Sequence, residues 1–295
     1  MHCEEEMTKV VIGLTQMKCI DDPRVNLRNA ITKIDEAAKN GAQIICLPEL
    51  FRSLYFPQSE DTKLFSLAET IPGPTTDELM KTAKAKKVAI IAPIFEKRVA
   101  GVYHNSAVVI DADGKIVGKY RKMHIPDDPC YYEKFYFTPG DLGFRAFETR
   151  YAKIGLLICW DQWFPEAARL VALQGAQIIF YPTAIGGHLG EKKEAVKGQR
   201  SAWESVQRGH AIANGSFVAA VNRVGKEGNL KFWGSSFVSS PFGEILAKAD
   251  DEEKVLIVKC DLSEIDSTRQ NWPFLRDRRI DAYFGITSRF LDSEK

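Results

Sequence analysis

Short apolar runs alternate with stretches of helical spacing from the start of the chain. Apolar residues predict buried strands over 9–14 and 42–47. Between them, residues 23–39 place their hydrophobic side chains on roughly one face, as expected of a helix, and Gly41 stands where glycine favours a helix end. This alternation of strand and helix indicates an α/β fold.

The same alternation continues along the rest of the chain. Further helices are predicted over 75–86, 165–173 and 199–214, and further strands over 88–95, 102–110, 115–120, 154–158, 176–181, 216–221, 234–239 and 255–260. Residues 111–114 end in Asp-Gly and predict a hairpin turn. Because no linker rich in Gly, Ser or Pro interrupts the pattern, we expect one domain over residues 1–295.

The pentapeptide Gly-Ala-Gln-Ile-Ile occurs twice, at 41–45 and at 175–179. Each copy follows a predicted helix, opens a predicted strand and is soon followed by a proline, Pro48 or Pro182. Either a repeated helix–strand unit or a chance match would explain the identity of the two pentapeptides. Two mixed sheets, each covered on its outer side by helices, fit the pattern of elements.

Composition narrows the class of protein. The 295 residues are 45% hydrophobic and 27% charged, with a formal net charge of +1. This balance lacks the charge footprint of a protein that binds nucleic acid or anionic lipid, so neither partner is predicted. The sequence has no run of 18 apolar residues and its first residues lack the features of a signal peptide, so no membrane segment and a cytoplasmic location are expected.

The cysteines and histidines point away from disulfides and metals. The six cysteines form no Cys-x-x-Cys pair; Cys46 and Cys260 are predicted core residues, and Cys130 is interpreted as a packing residue rather than a second reactive thiol. Cys3 is the first of the six. The histidines show no metal-ligand spacing, and no glycine-rich phosphate loop is present, so no metal and no cofactor are predicted.

Three predicted strands end beside residues that carry chemistry. Cys159 follows the run 154–158, Glu49 follows 42–47, and Lys122 follows 115–120. A thiol nucleophile needs a base to take its proton, and a tetrahedral oxyanion needs a positive donor, so Glu, Lys and Cys together fit acyl-transfer chemistry. A helix predicted to begin at Pro165 is expected to lower the pKa of the Cys159 thiol through its N-terminal dipole.

These segments resemble the Glu-Lys-Cys signature of the nitrilase (carbon–nitrogen hydrolase) superfamily. The three motifs are Leu47-Pro48-Glu49, Tyr120-Arg121-Lys122 and Ile158-Cys159-Trp160-Asp161. The segments 131–137, 180–186, 217–223 and 271–279 are similar to the branch that hydrolyses N-carbamoylputrescine, a ureido compound of polyamine synthesis, to putrescine, ammonia and carbon dioxide. The resemblance implies a four-layer α-β-β-α sandwich of two mixed sheets that pairs into a multilayer dimer.

The resemblance also implies a role for each residue of the signature. Glu49 is expected to act as general base and then acid, Lys122 to stabilise the oxyanion, and Cys159 to form a thioester. Glu133 matches a second glutamate that orients the lysine and the substrate. The alternative for Glu133 is a surface helix residue paired with Lys134 or Lys122.

The residues after the nucleophile bear on the substrate. Superfamily members that act on carbamoyl amino acids place Arg or His soon after the cysteine, where this chain has Gln162 and Trp163. A small-molecule substrate with a cationic or neutral far end is therefore expected, held by acidic and aromatic walls. The candidate substrate-binding residues are Tyr55, Tyr131, Trp160, Asp161, Trp163 and His188.

Other functions stay open at this point. An ω-amidase or a carbamoyl-β-amino-acid hydrolase of the same superfamily is the first alternative, although the missing Arg disfavours the latter. Nitrile hydrolysis is chemically possible, and a non-catalytic scaffold is disfavoured by the intact set of Glu49, Lys122 and Cys159.

The end of the chain forms a C-terminal extension from about residue 268, rich in Arg and aromatic residues. It either packs on its own domain or, as the family suggests, also reaches a neighbouring subunit. The expected assembly is a homo-oligomer, a dimer or larger.

Overall fold

The computed structural model describes residues 8–292, so Cys3 lies outside the described residues. The helices in this part of the chain are α1 (Pro23–Lys39), α2 (Pro74–Lys86), α3 (Glu133–Tyr136), α4 (Pro165–Leu173), α5 (Lys193–Asn214) and α6 (Ser263–Asn271). The strands are β1 (Lys9–Gln16), β2 (Ile44–Cys46), β3 (Ala89–Val99), β4 (Val102–Ile110), β5 (Ile116–Arg121), β6 (Arg145–Glu148), β7 (Lys153–Leu156), β8 (Ile178–Pro182), β9 (Gly186–His188), β10 (Phe217–Val221), β11 (Val224–Glu227), β12 (Leu230–Trp233), β13 (Phe237–Ser239), β14 (Ile245–Lys248) and β15 (Lys254–Asp261).

Two mixed sheets form the centre of the molecule. The first has the order β15-β1-β2-β3-β4-β5 and the second the order β14-β13-β10-β8-β7-β6. In each sheet three neighbouring strands are parallel, β1, β2 and β3 in one and β7, β8 and β10 in the other. The remaining pairings are antiparallel, and β9, β11 and β12 form a separate three-stranded sheet.

The sheets pack face to face, and helices cover their outer sides. Side chains from both sheets, such as Leu14 and Ile44 from the first and Ile154 and Phe180 from the second, share one buried apolar cluster. Ile34 of α1 and Leu79 of α2 pack in a second cluster on the outer face of the first sheet. Val171 of α4 and Ala211 of α5 pack against residues of the second sheet. The predicted four-layer α-β-β-α sandwich is confirmed.

Local signals explain where α1 begins and ends. The Asp22 carboxylate accepts hydrogen bonds from the backbone N–H groups of Arg24 and Val25 at 2.8 and 3.2 Å, and Pro23 occupies the first turn. Gly41, with φ of 88°, follows the last turn in the left-handed conformation that glycine adopts without strain. The predicted bounds of this helix match the observed ones.

The two Gly-Ala-Gln-Ile-Ile copies occupy equivalent positions. Gly41 and Gly175 have φ of 88° and 90° after α1 and α4. The side-chain oxygen of Gln43 accepts from Val11 N–H at 3.0 Å, and that of Gln177 accepts from Lys153 N–H at 2.9 Å. β2 and β8 are each the middle strand of a parallel triplet. The identity therefore reflects a repeated helix–strand unit.

Several elements were not predicted from the pattern. They are β6, β9, β11, β12, β14, α3 and α6, and α5 begins at Lys193 rather than at residue 199. The six added residues of α5 are mostly exposed and polar, so they have no apolar period to detect. Beyond α6 the chain forms short 3₁₀ turns with exposed apolar side chains. No helix within residues 8–292 is long and apolar enough to cross a membrane.

Candidate active site

Strand ends bring the three residues of the signature together. Glu49 follows the carboxyl end of β2, and Lys122 follows that of β5, which runs in the same direction because two antiparallel pairings separate it from β3. Cys159 follows β7 of the second sheet, so the site lies where the two sheets meet.

Lys122 lies between two buried carboxylates. Its ammonium donates to Glu49 Oε1 at 2.8 Å and to Glu133 Oε2 at 2.7 Å, and all three side chains are fully buried. Tyr55 donates its hydroxyl to Glu133 Oε1 at 2.6 Å, and Asn105 donates its amide to Glu49 Oε1 at 2.7 Å. Glu133 is therefore not a surface residue but part of the buried charge cluster.

One oxygen of this cluster has no partner. Glu49 Oε2 is buried without a hydrogen bond, whereas Glu49 Oε1 accepts from both Lys122 and Asn105. A buried carboxylate oxygen without a donor is costly because burial removes its hydration, and a catalytic role is one reason for a protein to keep such a group. This oxygen is free to accept a proton or to hold a water molecule.

Burial and charge set the protonation of the cluster. Burial acts to lower the pKa of Lys122, but the carboxylates of Glu133 and Glu49 outweigh it and hold that pKa above its usual value. Burial, with the nearby charge of Glu49, raises the pKa of Glu133 against the opposing effect of Lys122. Lys122 therefore stays a cation, while Glu133 is harder to ionise than an exposed glutamate.

Cys159 adopts a backbone conformation that is uncommon for a residue with a side chain. Its φ is 43°, and it opens the 3₁₀ turn Cys159–Trp163 rather than a longer helix. Cys159 is 5% exposed, and its thiol lies 3.9 Å from the carbonyl oxygen of Ala184. Such local strain is often found at functional residues.

The expectation of a lowered thiol pKa is wrong. Burial, followed by the negative charge of Glu49, raises the pKa of the Cys159 thiol well above its ordinary value, although Lys122 acts in the opposite direction. Helix α4 begins only at Pro165, so its N-terminus is not next to the thiol. The thiol is therefore neutral at rest and must lose its proton when it reacts.

A cavity of about 350 Å³ opens beside Cys159, within the size range of small-molecule sites. It is lined by Pro126, Asp128, Tyr131, Glu133, Cys159, Trp160, Trp163, Ala184, Ile185, Gly186, His188, Gln199, Ala202 and Trp233. Four of the predicted substrate-binding residues therefore line this cavity: Tyr131, Trp160, Trp163 and His188.

The other two predicted substrate-binding residues, Tyr55 and Asp161, do not line this cavity. Tyr55 stands behind the lining, where its hydroxyl donates to Glu133 and its ring lies 5.4 Å from that of Tyr131, centroid to centroid. The Asp161 carboxylate is fully buried outside the cavity lining and is already used within the protein. Asp161 Oδ2 accepts from Tyr120 and from Ile158 N–H, and Oδ1 accepts from His124 N–H, with distances of 2.8, 2.9 and 3.1 Å. Asp161 therefore shapes the turn that carries Cys159 instead of lining the cavity.

Sequence reasoning missed several cavity residues, and three of them are polar or aromatic: Asp128, Gln199 and Trp233. Gln199 and Trp233 lie far along the chain from the motifs, and no local signal marks them. Asp128 is three residues before Tyr131 in the same loop, so its position near a predicted binding residue was the available signal. Asn105, which contacts Glu49, lies in β4 with no motif around it.

The charge of the cavity lining is one-sided. It includes the acidic residues Asp128 and Glu133 and contains neither Lys nor Arg. Lys122 lies behind the lining, held by the two glutamates. Within residues 8–292, no group of three or more His, Cys, Asp or Glu side chains is arranged to hold a metal ion.

Comparison with known proteins defines the class. Residues 11–270 match the carbon-nitrogen hydrolase family. The chain belongs to this family, within the nitrilase superfamily, and is a hydrolase of carbon–nitrogen bonds.

The chain is similar over nearly its full length to several individual proteins. It is 46% identical to the N-carbamoylputrescine amidase of Arabidopsis thaliana, over 96% of this chain and 97% of that protein. It is 41% identical to the citrullinase of Francisella tularensis, over 96% of this chain and 100% of that protein. The crystal structure of a carbon-nitrogen hydrolase from Helicobacter pylori G27 superposes with a TM-score of 0.94, at 46% identity over 96% of this chain and 100% of the other.

Proposed function

We propose that this hydrolase cleaves N-carbamoylputrescine to putrescine, ammonia and carbon dioxide, using Cys159, Glu49 and Lys122. The observation that carries the proposal is the half-occupied carboxylate of Glu49. Lys122 occupies Oε1, the buried Oε2 has no donor, and the charge of Glu49 acts on the pKa of the Cys159 thiol, which lines the cavity. A neutral thiol and a free carboxylate oxygen are what base-assisted attack requires.

The first half of the reaction forms a covalent intermediate. As the sulfur of Cys159 bonds to the ureido carbon, its proton passes to Glu49, and the carbonyl oxygen becomes an oxyanion. The Lys122 ammonium and the backbone N–H of Trp160 stabilise that charge; one such donor typically lowers the barrier by about 3–4 kcal/mol. The bond to the alkyl nitrogen then breaks, Glu49 returns the proton to the amine, and a carbamoyl thioester remains.

The second half restores the thiol. Glu49 takes a proton from water as the water oxygen attacks the thioester carbon. The carbon–sulfur bond breaks, the proton returns to sulfur, and the released carbamic acid separates into ammonia and carbon dioxide. Glu133 holds Lys122 in place throughout, because its two oxygens bind Lys122 and Tyr55.

The substrate assignment has two supports. The plant relative, at 46% identity over nearly the whole chain, is an N-carbamoylputrescine amidase. The cavity has aromatic walls and no Lys or Arg to hold a substrate carboxylate. Aromatic faces and acidic groups fit the protonated amine of N-carbamoylputrescine.

The test is ammonia release from the purified protein with N-carbamoylputrescine, beside N-carbamoyl-β-alanine, citrulline, a simple ω-amide and a nitrile. We expect turnover of N-carbamoylputrescine above the others, and its loss in Cys159→Ala. Turnover of only citrulline, the ω-amide or the nitrile would overturn the substrate and keep the mechanism. No turnover of any of them would favour the scaffold alternative.

We also propose that the chain is a homo-oligomer in which the C-terminal extension contacts a second copy. Large apolar side chains of this extension stay exposed, including Phe284 at 81% and Phe290 at 79%. Light scattering after size exclusion is expected to give at least a dimer, and Phe284→Ser with Phe290→Ser to shift it toward monomer. A cytoplasmic location remains a prediction that cell fractionation tests.

A further inference from the structure

Asp128 differs from the other acidic residue of the cavity in having a free carboxylate. Glu133 binds Lys122 and Tyr55 with its two oxygens. The carboxylate of Asp128 has no hydrogen bond or ion pair with any residue from 8 to 292, although it lines the cavity and is exposed. It is therefore the acidic group of the cavity that is available to a ligand.

The loop holds Asp128 at the cavity through its backbone. Tyr131 N–H donates to the carbonyl oxygen of Asp128 at 2.7 Å, and the two residues form an isolated β-bridge. The Tyr131 hydroxyl donates to the carbonyl oxygen of Gly186 at 3.1 Å and accepts from Gly186 N–H at 3.2 Å. Asp128 is thus tied to the start of β9 through Tyr131, and its free side chain is presented on a fixed turn.

The charge of the site divides between a deep part and an outer part. Deep in the site, the Lys122 ammonium forms ion pairs with both Glu49 and Glu133. At the outer part, Asp128 is unpaired, and the lining contributes neither Lys nor Arg to pair with it. A ligand with a carbonyl group at Cys159 and a positive charge at its far end matches this division.

We propose that Asp128 determines substrate specificity by pairing with the terminal ammonium of an ω-ureido alkylamine. The inference rests on the proposed function and adds the residue that reads the far end of the substrate. Asp161, the acidic residue expected from the sequence, cannot do so because its carboxylate is buried and fully used. A carboxylate next to the ammonium, as in citrulline, has no Lys or Arg to meet and is repelled by Asp128.

A neutral substrate of the same shape isolates this interaction. N-Pentylurea has a methyl group in place of the ammonium of N-carbamoylputrescine and keeps the same ureido group. Asp127→Asn is the matched control for Asp128→Asn, because Asp127 is the adjacent exposed aspartate and does not line the cavity. KM and kcat are measured for the wild type and both variants with both substrates.

The expected result is selective. In Asp128→Asn, KM for N-carbamoylputrescine rises about fivefold, as for a partly exposed ion pair, and kcat stays within about twofold. KM for N-pentylurea stays within about twofold, and Asp127→Asn resembles the wild type with both substrates. Raising the salt from about 0.05 to about 0.5 M raises the wild-type KM for N-carbamoylputrescine but has little effect in Asp128→Asn.

Other results would overturn the inference. Equal losses with both substrates would mean that Asp128 only supports the loop, and unchanged KM values would mean that the ammonium lies elsewhere; the proposed function survives both. If the wild type hydrolyses N-pentylurea but not N-carbamoylputrescine, both proposals fail. If neither is hydrolysed, calorimetry of N-carbamoylputrescine with Cys159→Ala, alone and combined with Asp128→Asn, decides the inference: equal affinities, or no binding, overturn it.

Discussion

Glu49 and Lys122 are joined by a 2.8 Å hydrogen bond that occupies one carboxylate oxygen of Glu49 and leaves the other buried and unpartnered. The Lys122 ammonium thus fixes the orientation of the Glu49 carboxylate and leaves its second oxygen able to accept a proton. This arrangement separates two tasks that one residue would otherwise have to combine. Lys122 provides positive charge, and Glu49 keeps an oxygen free for proton transfer.

The first prediction concerns Glu49→Gln. The amide oxygen can still accept from Lys122, so we expect a folded protein, but the side chain can no longer take a proton. Loss of a general base is expected to lower kcat by about 10²–10⁴-fold. Steady-state ammonia release measures kcat, and far-UV circular dichroism checks the fold. A variant with near wild-type kcat would exclude Glu49 as the base.

A second prediction concerns Tyr55→Phe. The change removes the hydroxyl that donates to Glu133, and because that hydrogen bond lowers the pKa of Glu133, the pKa rises further in the variant. Ionised Glu133 is needed to hold Lys122, so the acidic limb of the kcat/KM profile is expected to move to higher pH.

The control for this change is Tyr136→Phe. Tyr136 is another buried tyrosine, whose hydroxyl donates to the carbonyl oxygen of Ser59, away from the charge cluster. Removal of the Tyr136 hydroxyl is expected to leave the acidic limb of the kcat/KM profile unchanged. A shift of the same size in both variants would mean that loss of a buried hydroxyl, and not contact with Glu133, causes the change.

A third prediction concerns the free thiol. Because burial and Glu49 raise the pKa of Cys159, its thiolate fraction is small near neutral pH and grows only at alkaline pH. The rate of alkylation by iodoacetamide, followed by mass spectrometry of the Cys159 peptide, is expected to rise at higher pH than for N-acetylcysteine. A midpoint below that of the model thiol would show that the thiolate is stabilised at rest.

A fourth prediction concerns the turn that carries the nucleophile. Asp161→Asn replaces an acceptor-only carboxylate with an amide whose NH₂ group faces other donors. We expect the free energy of unfolding to fall by about 3 kcal/mol, because buried donors lose their acceptor. Urea denaturation measures it, and the exposed Asp127→Asn is expected to change it by less than about 0.5 kcal/mol. Equal stabilities of the two variants would contradict this role.

The strand ends were predictable, and the cavity wall was not. Apolar runs mark where buried strands stop, so Glu49, Lys122 and Cys159 could be placed at strand exits from the sequence. Asp161 was misplaced because its direction depends on a tight 3₁₀ turn, in which its carboxylate points back to Ile158 N–H. The spacing of hydrophobic residues in the sequence does not reveal the direction of the Asp161 side chain.

Residues of the outer cavity depend on contacts between distant segments. Trp233 reaches the cavity from β12, a four-residue strand of the three-stranded sheet, and β9 in that sheet has the sequence Gly-Gly-His. Strands this short carry no alternation that distinguishes them from loops. Their place is set by pairing with one another, as between Phe232 and Gly186, which only the folded chain reveals.

The two copies of the repeated helix–strand unit contribute different residues to the reaction centre. Glu49 and Lys122 belong to the sheet of the first copy and Cys159 to the sheet of the second, so neither half of the chain alone holds the proposed set. By the alignment of the two pentapeptides, the counterpart of Glu49 is Thr183, whose hydroxyl donates to Gln162 at 3.0 Å. The repeat therefore has two equivalent backbone positions for a carboxylate, and Glu49 provides it at one of them while Thr183 stands at the other.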